Sequence, residues 1–276
     1  MPHSLRVVDD PRPDAERSRP EIDDFGFDAA FTESILPIFE WFYERYWRVE
    51  SIGVENVPAT GRALLVANHA GVVPWDGAMI RTAIQLEHLQ PRHARMLVLD
   101  WAFKMPFLSE FMQRTGNVVA HPENAVTLLE REELVGVFPE GAKGASKAYS
   151  DRYQLKRFGR GGFVQVALAT GAPIVPVAVV GAEELHPVLF EVPAIASLLG
   201  LPAFPVTPTW PLLGPLGMLP LPSKWLIAFG APIETRAYGP DAASDPALCL
   251  DLSERVRSEV QERVYELLAM RRTPFY

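Results

Sequence analysis

The sequence predicts an α/β fold, a single domain with a mainly parallel central sheet flanked by helices. Short β-branched runs alternate with helical stretches along most of the chain, and this alternation is typical of parallel strands joined by crossover helices. The chain has 276 residues, 48% of them apolar, so it is long enough to bury a large core without a disulfide or metal staple. Its lone cysteine, Cys249, excludes an internal disulfide and a thiolate metal cluster and is typical of a reducing compartment.

Residues 1–24 differ in composition from the rest of the chain. They hold four arginines, seven acidic residues and four prolines without an apolar core, which predicts a mobile tail and not a secretory signal. No internal repeat and no further linker divides the sequence. Residues 25–276 are therefore predicted to form the one domain.

An N-terminal amphipathic helix is predicted over about residues 27–47, because apolar residues recur there at helical spacing. These residues are Phe31, Ile35, Ile38, Phe39, Phe42 and Tyr46. The helix either packs on the core or, since aromatic residues crowd its end, lies in a membrane interface.

The alternating elements follow this helix. Buried strands are predicted at Arg62–Ala67, Ala94–Leu99, Leu134–Phe138, Ile174–Val180 and Trp225–Phe229. Helices are predicted between them at Gly77–Leu89, Phe103–Arg114, Glu123–Glu132 and Gly162–Thr170. The apolar spacing from Leu252 to Leu268 predicts a final amphipathic helix.

The longest charge-free stretch runs from Val192 to Ser223. Eight prolines and three glycines interrupt it, which excludes a continuous membrane-spanning helix and predicts a Pro-rich loop. The loop either offers an apolar surface at the mouth of a site or is buried against the core or a partner chain. The side chains in question are Phe204, Trp210, Leu212, Leu213, Leu216, Met218 and Leu219.

A histidine and an aspartate follow the strand predicted at 62–67, and functional sites of open parallel sheets form just beyond such strand ends. Asn68 and His69 come first, and Asp76 stands seven positions after the histidine. A neutral imidazole can take a hydroxyl proton, while a carboxylate on its other nitrogen stabilises the imidazolium. The alternative is that Asp76 caps the next helix and His69 is an ordinary loop residue.

A glutamate follows the strand predicted at 134–138, in the run Pro139-Glu140-Gly141-Ala142-Lys143-Gly144. A carboxylate, small residues and a lysine at a strand end can bind hydroxyls or phosphate. The same residues are also common in ordinary turns.

Together these motifs resemble the glycerolipid (lysophospholipid) acyltransferase family, of the 1-acylglycerol-3-phosphate acyltransferase kind. Asn68, His69 and Asp76 match the family's first motif, and the Phe-Pro-Glu-Gly of residues 138–141 matches its third. The apolar strand with a central proline at residues 172–178 matches its fourth. The resemblance covers roughly residues 45 to 235.

The resemblance implies acyl transfer from a thioester, acyl-CoA or acyl-carrier protein, to a hydroxyl of a lysophospholipid or related glycerolipid in phospholipid biosynthesis. His69 would be the general base, oriented by Asp76, and no enzyme nucleophile, cofactor or metal would be needed. The residues expected to bind substrates are Asn68, Glu140, Gly141, Lys143 and Arg157. Such an enzyme would be cytoplasmic and associated with the inner face of the membrane.

The chain departs from the family pattern at three places. Six residues, not four, separate His69 from Asp76, so the loop must bulge, through Gly71 and Pro74, to bring them together. The second motif, at residues 116–124, lacks the arginine that binds the acceptor phosphate, and His121 is its possible replacement. The third motif continues with Ala142-Lys143 where Thr-Arg is usual, which loses the bidentate fork of arginine.

The net charge of −8 argues against a nucleic-acid-binding protein, which usually carries a basic surface. Residues 141–160 nevertheless hold six cations against one acid, Asp151. The cations are Lys143, Lys147, Arg152, Lys156, Arg157 and Arg160. This patch suits a CoA phosphate or an anionic lipid headgroup, or it is a solvated surface loop.

Other functions share some of these features. An acyl-CoA thioesterase would use His69 and Asp76 to activate water and would need no acceptor pocket. An acyltransferase for a neutral acceptor, such as a mono- or diacylglycerol or a long-chain alcohol, would need less positive charge. A non-catalytic lipid-binding module would have no use for the histidine, aspartate and glutamate.

Overall fold

The structure, a computed structural model, describes residues 22–70, 73–145, 147–201 and 203–275. Its strands are β1 (Glu50–Ile52), β2 (Ala63–Ala67), β3 (Ala94–Val98), β4 (Val118–Val119), β5 (Leu134–Val137), β6 (Ile174–Val180), β7 (Phe190–Glu191), β8 (Pro205–Val206) and β9 (Leu226–Phe229). Its α-helices are α1 (Ala29–Trp41), α2 (Trp75–Glu87), α3 (Leu108–Arg114), α4 (Pro122–Glu130), α5 (Ala142–Ala145), α6 (Gly162–Thr170), α7 (Pro193–Leu199) and α8 (Pro246–Met270).

Seven strands form one sheet in the order β1-β9-β6-β2-β5-β3-β4. All neighbours in it are parallel except β6 and β9, which are antiparallel. The central strand β2 lies between β6 and β5. The predicted α/β domain with a mainly parallel sheet is thus confirmed.

The sheet is covered on both faces, and this explains why its inner strands are continuous apolar runs without polar alternation. All residues of β2 and β6 are buried. One face packs against α4, α6 and α8, and α8 contributes buried residues at helical spacing from Cys249 to Leu267. The other face packs against α2 and the aromatic end of the first helix, where Trp47 stacks on Trp225 with ring centroids 5.1 Å apart.

The five predicted strands agree with the structure to within one residue at either end. The predicted helix over 103–114 is wrong in its first half, because a 3₁₀ turn spans Asp100–Lys104 and α3 begins only at Leu108. Pro106 disfavours helical backbone in the residue before it, and Phe107 has a positive φ of 65°. The predicted first helix is α-helical to Trp41 and then continues as a π-helical turn.

The predicted N-terminal tail falls mostly on residues 1–21, which lie outside the described residues. Its last three residues do not belong to a free tail. Asp23 pairs with Arg95 at 2.6 Å, and Asp24 pairs with Arg131 at 2.8 Å. The predicted boundary at residue 24 is therefore wrong, because these ion pairs attach the segment to the domain.

The segment from residue 187 to residue 222, here called the apolar arm, includes β7, β8 and α7, so it is more regular than the predicted loop. Among the described residues it exposes the large apolar side chains of Leu189, Phe190, Ile195, Leu198, Leu199, Leu212, Leu213, Leu216, Met218 and Leu219. Two residues predicted for this surface differ: Phe204 is buried, and Trp210 is half-buried against it. Within the described residues, no helix is both long and apolar enough to cross a bilayer.

Candidate active site

The two motif loops meet because β2 and β5 are parallel, hydrogen-bonded neighbours. Both strands end at the same edge of the sheet, where sites of open α/β sheets form. Asn68 and His69 follow β2, and Pro139 and Glu140 lie just beyond β5. The structure therefore brings together the first and third motifs, although His69 and Glu140 are 71 positions apart in the sequence.

His69 and Asp76 form a largely buried pair. The imidazole Nδ1 lies 2.6 Å from Asp76 Oδ2, and the carboxylate also accepts hydrogen bonds from the Ala70 and Gly77 amides at 2.9 and 2.8 Å. The Asp76 side chain is 0% exposed and that of His69 is 15% exposed. A carboxylate at Nδ1 favours the tautomer with the proton on Nδ1, which leaves the Nε2 lone pair free to accept a proton.

The environment makes this imidazole more basic than an ordinary histidine. Burial lowers the pKa of His69, but the carboxylates of Asp76 and Glu140 outweigh burial, so the pKa lies above its usual value. The ammonium of Lys147 acts in the opposite direction. The pair is thus arranged to stabilise the imidazolium that forms when Nε2 takes a proton.

The alternative role of Asp76 as a helix cap is not what the structure shows. Helix α2 begins at Trp75 after Pro74, and no side chain among the described residues caps it. Asp76 turns back toward the His69 loop, so the six-residue gap is accommodated. Gly71, the other residue predicted to form the bulge, lies outside the described residues.

Glu140 holds the histidine loop from behind. Its Oε1 accepts a hydrogen bond from the His69 amide at 2.9 Å, and its Oε2 accepts one from the Lys156 amide at 2.7 Å. Its side chain is 0% exposed. The ring of Phe138, two residues earlier, stacks on the imidazole with centroids 4.6 Å apart. Glu140 was expected to bind substrate, but the carboxylate is occupied by backbone amides.

Asn68 is also turned inward. Its amide donates to Val179 O at 2.9 Å and accepts from Val179 N at 2.7 Å, which ties the end of β2 to β6. The side chain is buried, so its contacts serve the loop and do not face a substrate.

The two glycines of the third-motif loop have different roles. Gly141 has a positive φ of 58° and open space where a side chain would project, so a substrate can approach its backbone. A Cβ on Gly144 would lie 2.5 Å from Glu140 Cβ and 3.2 Å from His69 Cβ. Gly144 therefore permits the close packing of the two motif loops. Sequence reasoning missed this requirement, because no local pattern signals it.

The predicted basic patch is smaller than its six cations. Lys147 is buried between Glu140 and Glu183, Lys156 pairs with Asp151, and Arg152 lies over the Tyr149 ring. These contacts leave three exposed cations with no ion pair, side-chain hydrogen bond or ring contact to any described residue: Lys143, Arg157 and Arg160. The prediction that Lys147 belongs to a surface patch was wrong, because its ammonium pairs with Glu140 and Glu183 inside the protein.

Two further site features can be placed. His121, the possible replacement for the missing arginine, is exposed at the N-terminus of α4, where its ring accepts a hydrogen bond from the Glu123 amide at 3.4 Å. Among the residues that the structure describes, no group of three or more His, Cys, Asp or Glu side chains is placed to hold a metal ion.

Comparison with known proteins gives matches of different reach. The model of the family described as "Acyltransferase" matches residues 48–180, which include His69, Asp76 and Glu140. "Uncharacterized protein ML2427" of Mycobacterium leprae (strain TN) is 49% identical over 256 residues, covering 92% of this chain and 70% of the relative. The "DGAT1/2-independent enzyme synthesizing storage lipids" of Bos taurus is 27% identical over 124 residues, or 45% of this chain and 36% of the relative.

A solved structure shares the fold. The "1-acyl-sn-glycerophosphate (LPA) acyltransferase, PlsC, from Thermotoga maritima" superposes with a TM-score of 0.56, covering 86% of this chain and 81% of that one. At 19% sequence identity, this likeness concerns the fold.

Proposed function

The chain belongs to the acyltransferase family, and from this premise we propose that it moves a fatty acyl group from a thioester to a hydroxyl of a lysophospholipid or related glycerolipid. The donor would be acyl-CoA or an acyl-carrier protein. The observation that carries the proposal is the His69–Asp76 pair, 2.6 Å apart, with the second ring nitrogen not hydrogen-bonded to any described residue.

The reaction needs one base and no covalent enzyme intermediate. His69 Nε2 takes the proton of the acceptor hydroxyl while the oxygen attacks the thioester carbonyl. A carbon–oxygen bond forms, the carbon–sulfur bond breaks, and the imidazolium returns its proton to the departing thiolate. Asp76, fixed by two backbone amides, stabilises the imidazolium between these steps.

Substrate contacts are proposed where the site is open. Gly141 presents backbone beside open space, while Lys143 and Arg157 offer exposed charge for a phosphate of the donor or acceptor. Asn68 and Glu140 are given a different role, that of holding the His69 loop, since both side chains are buried against backbone.

The lipid substrates would be reached by peripheral association with a membrane. The end of the first helix is bonded to the end of the apolar arm: Tyr46 donates to Pro220 O at 2.7 Å, and Trp47 donates to Leu221 O at 3.1 Å. The exposed Trp41 of α1 stacks on Tyr46, so the apolar residues of helix and arm belong to one surface. The lone cysteine is consistent with the cytoplasmic, inner face.

The experiment that tests the proposal is acyl transfer by the purified protein from acyl-CoA to a panel of lysophospholipids, mono- and diacylglycerols and long-chain alcohols. We expect an ester product that requires both the acceptor and His69, with the His69→Ala variant as control. Release of free fatty acid at the same rate with and without any acceptor would contradict transfer and support the thioesterase alternative.

A further inference from the structure

A buried cluster of charges lies behind the His69 loop and has no part in the proton transfer described above. Lys147 Nζ lies 3.1 Å from Glu183 Oε1 and 3.5 Å from Glu140 Oε2. The side chains of Lys147, Glu140 and Glu183 are 2%, 0% and 7% exposed. Glu183 lies in the 3₁₀ turn that follows β6, so the cluster joins the loops after β5 and β6.

Such a cluster is a poor way to stabilise a fold. Removing three charges from water is costly, and one cation cannot neutralise two carboxylates. The consequence is visible at Glu183: burial raises its pKa to about 7, and Glu140 adds to the rise, although Lys147 opposes it. The cluster therefore has to be explained by the side chain that it keeps in position.

What it holds is the carboxylate that positions the general base. Glu140 accepts hydrogen bonds from the amides of His69 and Lys156 with its two oxygens. The Lys147 ammonium faces the oxygen that accepts from Lys156. Glu183 in turn anchors Lys147 and accepts from the Tyr153 amide at 3.1 Å.

We propose that Lys147 and Glu183 are positioning residues for acyl transfer: Lys147 pairs with Glu140 so that Glu140 fixes the His69 loop, and Glu183 holds Lys147 in place. The inference rests on the proposed role of His69 as the base. It also has an electrostatic consequence, because the charged groups acting on His69 are Asp76 and Glu140, which raise its pKa, and Lys147, which lowers it. Pairing with Lys156 lowers the pKa of Asp151, on the same loop, and the Lys147 cation adds to the lowering.

The test separates the charge of Lys147 from its packing. In Lys147→Met/Glu183→Gln, both charges are removed and the side-chain volumes are nearly kept, so we expect the fold to persist. The His69 pKa should rise, and kcat/KM should fall about tenfold at pH 6 and largely recover at pH 9, well short of the ~10²- to 10⁴-fold loss of a removed base. Lys104→Met, whose exposed ammonium pairs with Asp100 on another loop, is the control and should leave both readouts at wild-type values.

The second readout does not require activity. Titration of the histidine ring protons by NMR, with the His69 signal assigned by its loss in His69→Ala, gives the pKa even if no acyl transfer is found. A His69 pKa in the double variant equal to wild type, or an equal shift in Lys104→Met, would overturn the inference. If the double variant does not fold, Glu183→Gln alone decides, since Lys147 without its anchor should move away from the His69 loop and the His69 pKa should rise; an unchanged or lowered value overturns the inference as well.

Discussion

At the carboxyl edge of β2 and β5, the charged side chains nearest His69 are inside the protein and bonded, whereas the apolar arm leaves leucines in contact with solvent. Asp76, Glu140 and Lys147 are all buried, while Leu212 is 84% exposed and Leu216 is 68% exposed. An ordinary soluble domain distributes these residue types the other way round.

The difference shows that the two regions are suited to different surroundings. Buried charges with fixed partners act strongly on a reacting group, because little water screens them. An exposed apolar surface has no such partners and gains free energy only when an apolar phase or another protein covers it. The interior is thus suited to chemistry, and the arm is proposed to contact lipid. Variants of each region test this division.

The largest expected effect is that of His69→Ala. Removal of a general base lowers kcat by about 10²- to 10⁴-fold. Because the ring is a partly exposed loop residue and contributes little to the core, the thermal unfolding midpoint should stay near wild type. Leu89→Ala, which shortens a 96% exposed side chain outside the site, serves as control in both measurements. Substantial turnover by His69→Ala would show that the reaction does not take place at the carboxyl edge of β2 and β5.

Asp76→Asn should lower activity almost as much as His69→Ala does. The amide keeps the shape of the side chain but no longer stabilises the imidazolium, so we expect kcat to fall by about 10²-fold or more. Asp151→Asn, on an exposed carboxylate, is the comparison. Wild-type turnover by Asp76→Asn would mean that the observed pair is not used in catalysis.

The arm is tested by Leu212→Asp/Leu213→Asp, two exposed positions. Each leucine buried in an apolar phase contributes about 1.5–3 kcal/mol, so losing both should weaken binding to liposomes by about 10²-fold or more. The unfolding midpoint should not fall, and Leu89→Asp, at a 96% exposed leucine outside the arm, should bind liposomes like wild type. Trp210 is unsuitable for this test because it packs against Phe204. Unfolding of the double variant would show that the arm belongs to the core.

The pH dependence tests the charges around the base. Only neutral His69 accepts a proton, and its pKa is raised above the usual value near 6.5 by Asp76 and Glu140 against the effect of burial. Activity should therefore increase with pH through that raised pKa and fall about tenfold per unit below it. Profiles of kcat/KM for wild type and Asp76→Asn check this, since loss of the carboxylate must move the acid limb to lower pH. An acid limb at the same pH in both profiles would show that the Asp76 carboxylate does not affect the pKa of His69.

Sequence reasoning reached the local features of both regions and missed the distant ones. The run at 62–67 was recognisable as a strand because both faces of β2 are covered, and His69 and Asp76 were recognisable from their position after it. The burial of Lys147 depends on Glu183, 36 residues away, which no local pattern contains. The strands β1 and β4 have three and two residues, too few to show a period, and their position is set by the neighbours β9 and β3.

The smallest expected effect concerns the acceptor, where the two regions meet. In this chain the second-motif arginine is replaced, and His121 in that segment is exposed and engaged at the start of α4. The remaining cations near the site, Lys143 and Arg157, are exposed, and exposed charges contribute little because water screens them.

We therefore expect lysophosphatidate to be preferred over monoacylglycerol by only about tenfold. The missing arginine would have supplied a charged hydrogen bond to the phosphate, and the loss of such a bond costs ~1.5–3 kcal/mol. Lys143→Ala should reduce that preference further without changing turnover of the neutral acceptor, and Lys104→Ala, an exposed lysine on another loop, should leave it unchanged. Specificity constants for both acceptors with each variant decide the matter. A preference for the phosphate of about 10³-fold or more would mean that a further residue binds it, and the double variant His121→Ala/Lys143→Ala would then show whether these two residues supply the missing contact.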